Sequence, residues 1–255
     1  MSARLFGTDG IRGRAGEPPL DTRTVRRIGM ALVKALPQSP GPVRLLVGRD
    51  TRESGERIER DLAVGATAAG ATVVSAGVIP TPAVAHLTRS QGFAAGLVIS
   101  ASHNPFHDNG IKVFSGGGEK FTESLEDGVE AIMADVSWQE PRDAAPPVPM
   151  IDEAAAYLAH ARRALGGPRP AHARRIAVDC ANGATYQVAP ALLRGLGFEV
   201  TSIACEPDGR NINLECGSTH PERLARTVVA EGCDLGVAFD GDGDRAILVD
   251  AAGRI

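Results

Sequence analysis

Short apolar runs alternate with amphipathic segments along the whole chain, which predicts alternating strands and helices. In the first half, apolar runs predict three buried strands, at 43–47, 72–75 and 95–100. Helical spacing of apolar residues predicts two helices there, at 21–36 and 82–89. Asp21 stands where a helix N-cap is expected, and Asp50 with Glu53 fits a capping box for another helix.

The second half repeats this order of elements. Apolar runs predict strands at 175–179, 199–203 and 234–239. Helical spacing predicts helices at 152–165, 185–196 and 220–231. Thr219 with Glu222 fits a second capping box at the start of the last of these helices.

The order strand, helix, strand, helix, strand therefore occurs twice, and each third strand ends in a polar loop. This order predicts an α/β fold with two similar βαβ-type domains, whose mixed sheets are mostly parallel and carry helices on both faces. Four prolines between 138 and 150 discourage regular structure. We therefore expect a first domain at 1–137, a proline-rich linker at 138–150 and a second domain at 151–255.

Composition narrows the function classes. The chain has 255 residues, of which 43% are hydrophobic and 23% charged, as expected of a globular protein. A net charge of -4 gives no support to non-specific nucleic-acid binding, and no apolar run approaches membrane-spanning length. The N-terminus lacks the apolar core of a signal peptide, and the four cysteines are scattered. These features predict free thiols and a cytoplasmic location, without nucleic-acid or membrane partners.

The first polar loop holds Ser102, His103 and Asn104 at the end of a predicted buried strand. In open α/β sheets, ligands bind outside the carboxyl ends of the strands, so this serine is a candidate nucleophile. A serine hydroxyl needs a base or a metal to act as one. Ser-His-Asn-Pro in isolation is an ordinary loop sequence. A protease or esterase is not favoured, because the chain has no Gly-x-Ser-x-Gly elbow around this serine.

The second polar loop carries Asp240, Asp242 and Asp244, separated by glycines. Glycines let the backbone curl so that such side chains converge, and oxygen ligands favour Mg²⁺ or Ca²⁺. An EF-hand is excluded, since the glycine and glutamate it requires are absent from its sixth and twelfth positions. A solvated hairpin turn between 235–239 and 246–249 is the alternative. We favour a metal, because three neighbouring carboxylates repel one another without a cation.

Basic residues complete the candidate chemistry. The glycine-rich segment 7–13 is neither a Walker loop nor a dinucleotide fingerprint, but its Arg12 could clamp a phosphate. Lys112 follows the serine loop, and Arg49 lies at another predicted strand end. A serine loop, a carboxylate loop and these cations together suggest phosphoryl transfer.

Four of these segments resemble the α-D-phosphohexomutase family. They are Gly-Thr-Asp-Gly-Ile-Arg-Gly at 7–13, Ser-Ala-Ser-His-Asn-Pro at 100–105, Asn-Gly-Ile-Lys at 109–112 and Asp-Gly-Asp-Gly-Asp-Arg at 240–245. The resemblance covers essentially the whole chain. Segments 207–213 and 216–222 are similar to the glucosamine branch of that family rather than to its mannose and glucose branch.

The resemblance implies four α/β domains around one cleft, of which this sequence supplies the first two. We therefore expect an N-terminal part of a longer enzyme. The implied reaction interconverts glucosamine 6-phosphate and glucosamine 1-phosphate through a phosphoserine and glucosamine 1,6-bisphosphate. The implied binding partners are the phosphosugar substrate and this bisphosphate. A homodimer is compatible with the sequence, which carries no signal of oligomeric state.

The resemblance also implies roles for individual residues. Ser102 would be the phosphoserine, and a phosphoserine oxygen would bind Mg²⁺ together with Asp240, Asp242 and Asp244. Arg12 and Lys112 would neutralise the transferring phosphoryl group, and Lys112 or His103 would carry a proton. The guanidinium groups of Arg12, Arg245 and Arg49 would contact the substrate.

Three alternatives stay open at this point. The first is a phosphomannomutase or phosphoglucomutase with the same chemistry. The second is a catalytically incomplete module that binds Mg²⁺ and a phosphosugar. The third is a metal-dependent phosphohydrolase, which would release inorganic phosphate.

Overall fold

The computed structural model describes residues 4–37, 41–135, 137–139, 147–165 and 174–255, which form two α/β domains. The first domain contains, in chain order, β1 Ile11–Arg14, α1 Thr22–Ala35, β2 Arg44–Arg49, α2 Gly55–Ala68, β3 Thr72–Val78, α3 Thr81–Ser90, β4 Ala95–Ile99, β5 Asp108–Ser115 and α4 Glu123–Met133. The second domain contains α5 Ala154–Leu165, β6 Arg175–Asp179, α6 Val188–Gly195, β7 Glu199–Ile203, α7 Glu222–Ala230, β8 Leu235–Phe239 and β9 Ala246–Asp250.

Each domain is built on a mixed sheet, which confirms the predicted fold class. The strand orders are β1-β5-β4-β2-β3 in the first domain and β7-β6-β8-β9 in the second. The strands predicted from apolar runs pair in parallel, while β1, β5 and β9 pair antiparallel. Among the described strands, parallel pairs therefore outnumber antiparallel pairs by only four to three.

The polar loops leave their sheets at equivalent places. In the first domain β4 runs parallel to β2, with Ile99 opposite Arg49, so the segments that follow these two strands lie side by side. In the second domain β8 runs parallel to β6 in the same way, with Ala238 opposite Asp179. An antiparallel strand then returns from each polar loop, β5 in the first domain and β9 in the second.

Successive side chains of a strand point to opposite faces of the sheet, and both faces of the first sheet are buried. Its parallel strands are therefore continuous apolar runs. Leu45 and Val47 of β2 pack on one face, in a core formed with α1, α2 and α4, while Leu46 packs on the opposite face with α3. Both faces of this sheet are therefore covered, as parallel strands require. Complete burial of each such side chain contributes about 1.5–3 kcal/mol.

Glycines bring α1 and α2 unusually close together. A Cβ atom on Gly29 would lie 2.2 Å from the carbonyl oxygen of Leu62, and one on Gly65 would lie 1.7 Å from that of Arg26. Only glycine fits at these two positions, because backbone atoms of the facing helix occupy the space. The two helices therefore pack with their backbones in direct contact.

Some predicted boundaries and caps differ from the structure. Asp21 caps α1 as predicted, by accepting a hydrogen bond from the amide of Thr24. The capping box at Asp50 is wrong: α2 begins later, after Ser54, and the Asp50 carboxylate points into the protein. The box at Thr219 is also wrong, since α7 begins at Glu222 without a side-chain cap.

The predicted linker at 138–150 lies partly outside the described residues, which omit 140–146. At its end the chain joins the first sheet, where Ser75 of β3 bonds to Pro149 and Ile151 on either side of Met150. The predicted domain limits stay a prediction. Among the described helices, none is both long enough and apolar enough to cross a membrane.

Candidate active site

The serine loop, residues 100–108, holds its nucleophile in a constrained backbone conformation. Ser102 is 1% exposed and has a φ of 53°, in the left-handed region that non-glycine residues rarely adopt. Its amide donates to the Ser100 hydroxyl at 2.9 Å. The Asn104 side chain donates to Asp108 at 3.0 Å and closes the loop. The Ser100 side chain thus holds the amide of Ser102, while the Asn104–Asp108 bond fixes the rest of the loop.

A buried arginine that the sequence analysis missed lies beneath this loop. Arg52 donates to the backbone carbonyl groups of Ser102 at 3.0 Å, Asn104 at 2.8 Å and Asp108 at 3.0 Å, and also to that of Pro105. In the sequence Arg52 is only an arginine that follows a strand; its role arises because β2 lies beside β4 in the sheet.

The aspartate loop, residues 240–245, brings its three carboxylates together. One ligand oxygen from each of Asp240, Asp242 and Asp244 lies within 4.8 Å of the others. Asp240 and Asp242 are buried, and Oδ1 of Asp242 has no hydrogen-bond partner in the described part of the chain. A buried carboxylate oxygen without a partner is costly unless a cation binds it. This oxygen-only set fits a hard divalent cation such as Mg²⁺.

The loop is a hairpin turn, but not the solvated turn considered as the alternative, because Asp240 and Asp242 are buried. Strands β8 and β9 do pair as a hairpin, and Gly243 has a φ of 71° within the turn. A Cβ atom on Gly241 would lie 2.4 Å from the carbonyl oxygen of Ser102. Gly241 therefore allows the aspartate loop to contact the serine loop of the other domain.

Direct hydrogen bonds join the two loops. The Ser102 hydroxyl donates to Oδ2 of Asp240 at 2.5 Å. The guanidinium of Arg245 donates to that same carboxylate oxygen at 2.9 Å, and also contacts the Ser102 hydroxyl and Nδ1 of His103. The candidate nucleophile thus lies between an acidic triad and a cation.

Two residues of the first domain bind the aspartate loop from the other side. The Lys112 ammonium lies 2.8 Å from both Asp242 and Asp244, and 3.1 Å from Asp9. Thr81, at the first turn of α3, donates its hydroxyl to Asp242 at 2.7 Å and its amide to the carbonyl of the same residue at 2.9 Å. Thr81 and Asp9 were not predicted; Asp9 lies within segment 7–13.

These contacts shift the pKa values of neighbouring carboxyl groups in opposite directions. Burial and the charge of Asp242 raise the pKa of Asp240. Burial would also raise the pKa of Asp242, but the Lys112 ammonium outweighs it and lowers that pKa. Burial opposes the charge of Lys112, yet the carboxylates of Asp242 and Asp244 raise its pKa. Lys112 is therefore an ammonium ion in this arrangement.

The pKa values of two further residues beside the serine, His103 and Asp9, are both lowered. Burial and the nearby Arg245 lower the pKa of His103, so its imidazole is neutral near pH 7. A guanidinium only donates, so the Arg245 contact uses the lone pair of Nδ1. Burial acts to raise the pKa of Asp9, but Lys112 and Lys120 lower it to about 2.

A cavity of about 360 Å³ opens onto these groups. Its lining is formed by Asp9, Arg12, Ser102, His103, Asp244 and Arg245. Arg12 is held there by Asp9 at 2.8 Å, and its other guanidinium nitrogen contacts the carbonyl of Ala101 at 3.4 Å. The cavity presents two guanidinium groups beside the serine, which suits a phosphorylated ligand.

Arg49 is not brought to this cavity. Its guanidinium donates to Glu56 at 2.9 Å and to Glu59 at 3.2 Å, both on α2. The reason is strand alternation, because the side chain of Arg49 leaves the sheet on the face that α2 covers. The structure therefore gives no support to the predicted contact between Arg49 and substrate.

Segment 207–213 of the second domain also reaches the serine loop. The Asn213 side chain donates to the carbonyl groups of Ser102 at 2.9 Å and Asn104 at 3.1 Å. Nearby, Arg210 forms an ion pair with Glu53 of the first domain at 2.7 Å. This segment therefore contributes to the junction between the domains, which its sequence alone did not indicate.

Comparison with known families agrees with the two-domain architecture. The chain matches the α/β/α domain I model of phosphoglucomutase/phosphomannomutase over residues 3–140 and the α/β/α domain II model over residues 155–253. A crystal structure of a phosphoglucomutase/phosphomannomutase family protein from Burkholderia thailandensis superimposes with a TM-score of 0.82 at 30% sequence identity. That match covers 99% of this chain and 56% of the other.

Curated relatives are more similar in sequence. The chain is 45% identical to the phosphoglucosamine mutase of Cupriavidus metallidurans, covering 100% of this chain and 58% of the relative. It is also 45% identical to the phosphoglucosamine mutase of Pectobacterium atrosepticum, covering 98% of this chain and 56% of the relative. The chain thus spans a little over half the length of these relatives.

Proposed function

This chain belongs to the phosphoglucomutase/phosphomannomutase family, and we propose that it forms the part of a phosphoglucosamine mutase that carries the reactive serine and the metal loop. The observation that carries the proposal is the meeting of the two loops, where the Ser102 hydroxyl bonds to Asp240 of the acidic triad at 2.5 Å. The proposed reaction interconverts glucosamine 6-phosphate and glucosamine 1-phosphate through glucosamine 1,6-bisphosphate.

Glucosamine is the proposed sugar because the relatives at 45% identity bear the name phosphoglucosamine mutase. The same chemistry on mannose or glucose phosphates is less well supported. A cytoplasmic location is part of the proposal. It is supported by the four cysteines, which are free thiols in the structure, as is typical in a reducing compartment.

Mg²⁺ is the proposed cofactor, and the residues present fit it. Asp240, Asp242 and Asp244 would hold the ion, with an oxygen of phosphorylated Ser102 as a further ligand. The unpartnered Oδ1 of Asp242 is the structural observation that supports this assignment. Bound Mg²⁺ would act as a Lewis acid on a phosphoryl oxygen, a contribution on the order of several kcal/mol.

In the first proposed step, phosphorylated Ser102 donates its phosphoryl group to the 1-hydroxyl of glucosamine 6-phosphate. The bond from phosphorus to the sugar oxygen forms, and the bond to Oγ of Ser102 breaks. After the bisphosphate turns over in the cleft, Ser102 attacks its 6-phosphoryl group and glucosamine 1-phosphate leaves. Phosphoryl transfer of this kind depends mainly on positioning and charge neutralisation.

His103 is the proposed carrier of the proton. Its neutral imidazole takes the proton of the sugar hydroxyl at Nδ1 once Arg245 turns to the phosphoryl oxygens, and then passes it to Oγ of Ser102. The side chain of Arg245 is half exposed, so phosphoryl oxygens can replace its present contacts when it turns. Lys112 instead donates hydrogen bonds, because its carboxylate partners keep it protonated. Arg12 neutralises charge on the phosphoryl group from the other side.

The decisive experiment is peptide-mapped mass analysis of the chain after incubation with Mg²⁺ and glucosamine 1,6-bisphosphate. We expect one phosphoryl group on Ser102, none when the metal is chelated, and none in Ser102→Ala, with unchanged circular dichroism. Ser115→Ala, at the end of β5, serves as the matched control and should be phosphorylated like the wild type.

Phosphate on another residue, or full labelling of Ser102→Ala, would contradict the proposed nucleophile. Steady release of inorganic phosphate would instead favour the phosphohydrolase alternative. Repeating the incubation with mannose and glucose 1,6-bisphosphates tests the sugar, and faster labelling by either one would overturn the assignment to glucosamine.

A further inference from the structure

All five N–H donors of Arg52 are used inside the protein, four of them on the serine loop. Its side chain is 0% exposed. Two nitrogens, Nη1 and Nη2, each donate to two backbone carbonyls of residues 102–108, and Nε donates to Asp50 at 2.8 Å. A planar guanidinium supplies five donors in one rigid fork, and here that fork matches the curvature of the loop.

A second set of bonds connects the same ion pair to the other side of Ser102. The Ser100 hydroxyl donates to Oδ2 of Asp50 at 2.5 Å and accepts from the Ser102 amide at 2.9 Å. The carbonyl of Ser102 accepts from Arg52 at 3.0 Å. Both peptide groups of the nucleophile are therefore held by one buried network, formed by Asp50, Arg52 and Ser100.

This network explains how Ser102 keeps its left-handed conformation, with a φ of 53°. Such a conformation costs a non-glycine residue about 1–3 kcal/mol and persists only where the surroundings enforce it. We propose that Arg52, anchored by Asp50 and Ser100, is a positioning residue that sets the backbone of Ser102 so that its hydroxyl faces the acidic triad. The proposal rests on the proposed function, because it takes Ser102 as the phosphoryl acceptor.

The network acts on the loop rather than on the hydrophobic core. The loop partners of Arg52 all lie between 102 and 108, and its guanidinium contacts neither the acidic triad nor the cavity. Arg57, five residues later, offers a matched comparison: like Arg52 it bonds to one aspartate, Asp61, but it donates to the backbone carbonyl of Leu20 rather than to the serine loop. Arg57 lies on α2, and its carbonyl partner, Leu20, lies outside the serine loop.

The test measures Ser102 phosphorylation by glucosamine 1,6-bisphosphate with Mg²⁺ in Arg52→Lys, Ser100→Ala and the control Arg57→Lys. Lysine keeps the charge beside Asp50 but cannot reproduce the fork. We expect the maximal rate in Arg52→Lys to fall by about tenfold to a hundredfold, the effect of a small misplacement of a reacting group. The half-saturating bisphosphate concentration and the Mg²⁺ dissociation constant should stay at their wild-type values.

Hydrogen exchange of the peptide covering residues 100–108 supplies a readout that is independent of catalysis. We expect faster exchange of this peptide in Arg52→Lys and Ser100→Ala, and unchanged exchange in Arg57→Lys. If Arg52→Lys does not fold, Ser100→Ala decides the question, because it leaves the Asp50–Arg52 pair in place.

Wild-type rates with wild-type exchange in both loop variants would overturn the proposal. It would also be overturned if the rate fell together with Mg²⁺ affinity and melting temperature, since that pattern indicates general destabilisation. If wild-type Ser102 is never phosphorylated, the proposed function fails; faster exchange then still supports the bracing of the loop, and unchanged exchange contradicts it.

Discussion

The serine loop of the first domain and the aspartate loop of the second occupy the same place in the same order of strands and helices, yet different interactions stabilise them. Arg52, from the serine loop's own domain, bonds to that loop's backbone. The aspartate loop is bound by the other domain, through the charge of Lys112 and a hydrogen bond from Thr81. The serine loop is therefore braced mainly by an arginine of its own domain, with Asn213 of the second domain as an added donor. The aspartate loop depends more on contacts across the junction between the domains.

Two aspartates at equivalent strand ends show the same difference. Asp50 follows β2, and its carboxylate bonds to both Arg52 and Ser100. Asp179 ends β6, and its Oδ1 accepts from the amide of Ala181 at 2.9 Å. Its Oδ2 is buried and has no hydrogen-bond partner among the described residues. The two domains thus share a backbone plan without sharing a polar network.

The largest expected effect separates these two aspartates. Asp50→Asn leaves the charge of Arg52 buried without its partner, which should lower the free energy of unfolding by about 3–5 kcal/mol. Asp179→Asn removes a buried charge whose second oxygen has no partner, and it should change that free energy by less than about 1 kcal/mol. Urea unfolding of both variants measures the contrast, and equal losses would show that the two networks are equivalent.

A smaller effect concerns the metal. Asp242→Asn should weaken Mg²⁺ binding by at least about tenfold, because the substitution removes a buried ligand. Isothermal titration calorimetry gives the dissociation constant directly. Asp127→Asn, an exposed carboxylate on α4, is the control for the change in net charge. Equal Mg²⁺ affinity in the two variants would count against a metal at the aspartate loop.

The smallest effect lies where α3 of the first domain meets α5 of the second. His86 and His160 stack there with ring centroids 3.6 Å apart. Burial, the His160 ring and Arg163 lower the pKa of His86. The unfolded chain therefore binds more protons at His86 than the folded chain does, so stability should fall as the pH drops through about 6.5, the ordinary pKa of histidine.

The contribution of His86 to the loss of stability is obtained as the difference between the wild type and a variant that lacks this histidine. Melting temperatures between pH 5.5 and 8, recorded for the wild type and His86→Gln, isolate this residue from the other histidines. The wild type should lose more stability on acidification than the variant. Parallel curves would show that the stacked pair does not contribute to the pH dependence of stability.

Much of the first domain could be predicted because the parallel strands of its sheet are buried on both faces. Unbroken apolar runs such as Leu45–Val47 can only be covered by helices on both sides, and that constraint shows in the sequence. Strand β5 escaped prediction because Asn109 and Lys112 are polar residues within it, and the pairing of β5 with β1 and β4 overrides their weak strand preference.

The candidate site likewise contains some residues that could be predicted from the sequence and others that could not. Ser102 and the three aspartates of 240–245 could be singled out because they end apolar strands and carry recognisable chemistry. Arg52 and Thr81 could not, since an arginine after a strand and a threonine at a helix start are ordinary residues. Their importance lies in their partners on the serine and aspartate loops, which are 50 or more positions away in the chain.

The sequence by itself determined the order of the parallel strands, the helices that connect them and the two loops that carry the chemistry, because these follow from local patterns of apolar and polar residues. Only the tertiary structure decided which charges meet. Ser102 and Asp240 are 138 positions apart, and their hydrogen bond exists because the two sheets present their carboxyl ends to each other. The bracing of Ser102 by Arg52 likewise depends on two strands lying side by side, a relation that periodicity along one strand does not encode.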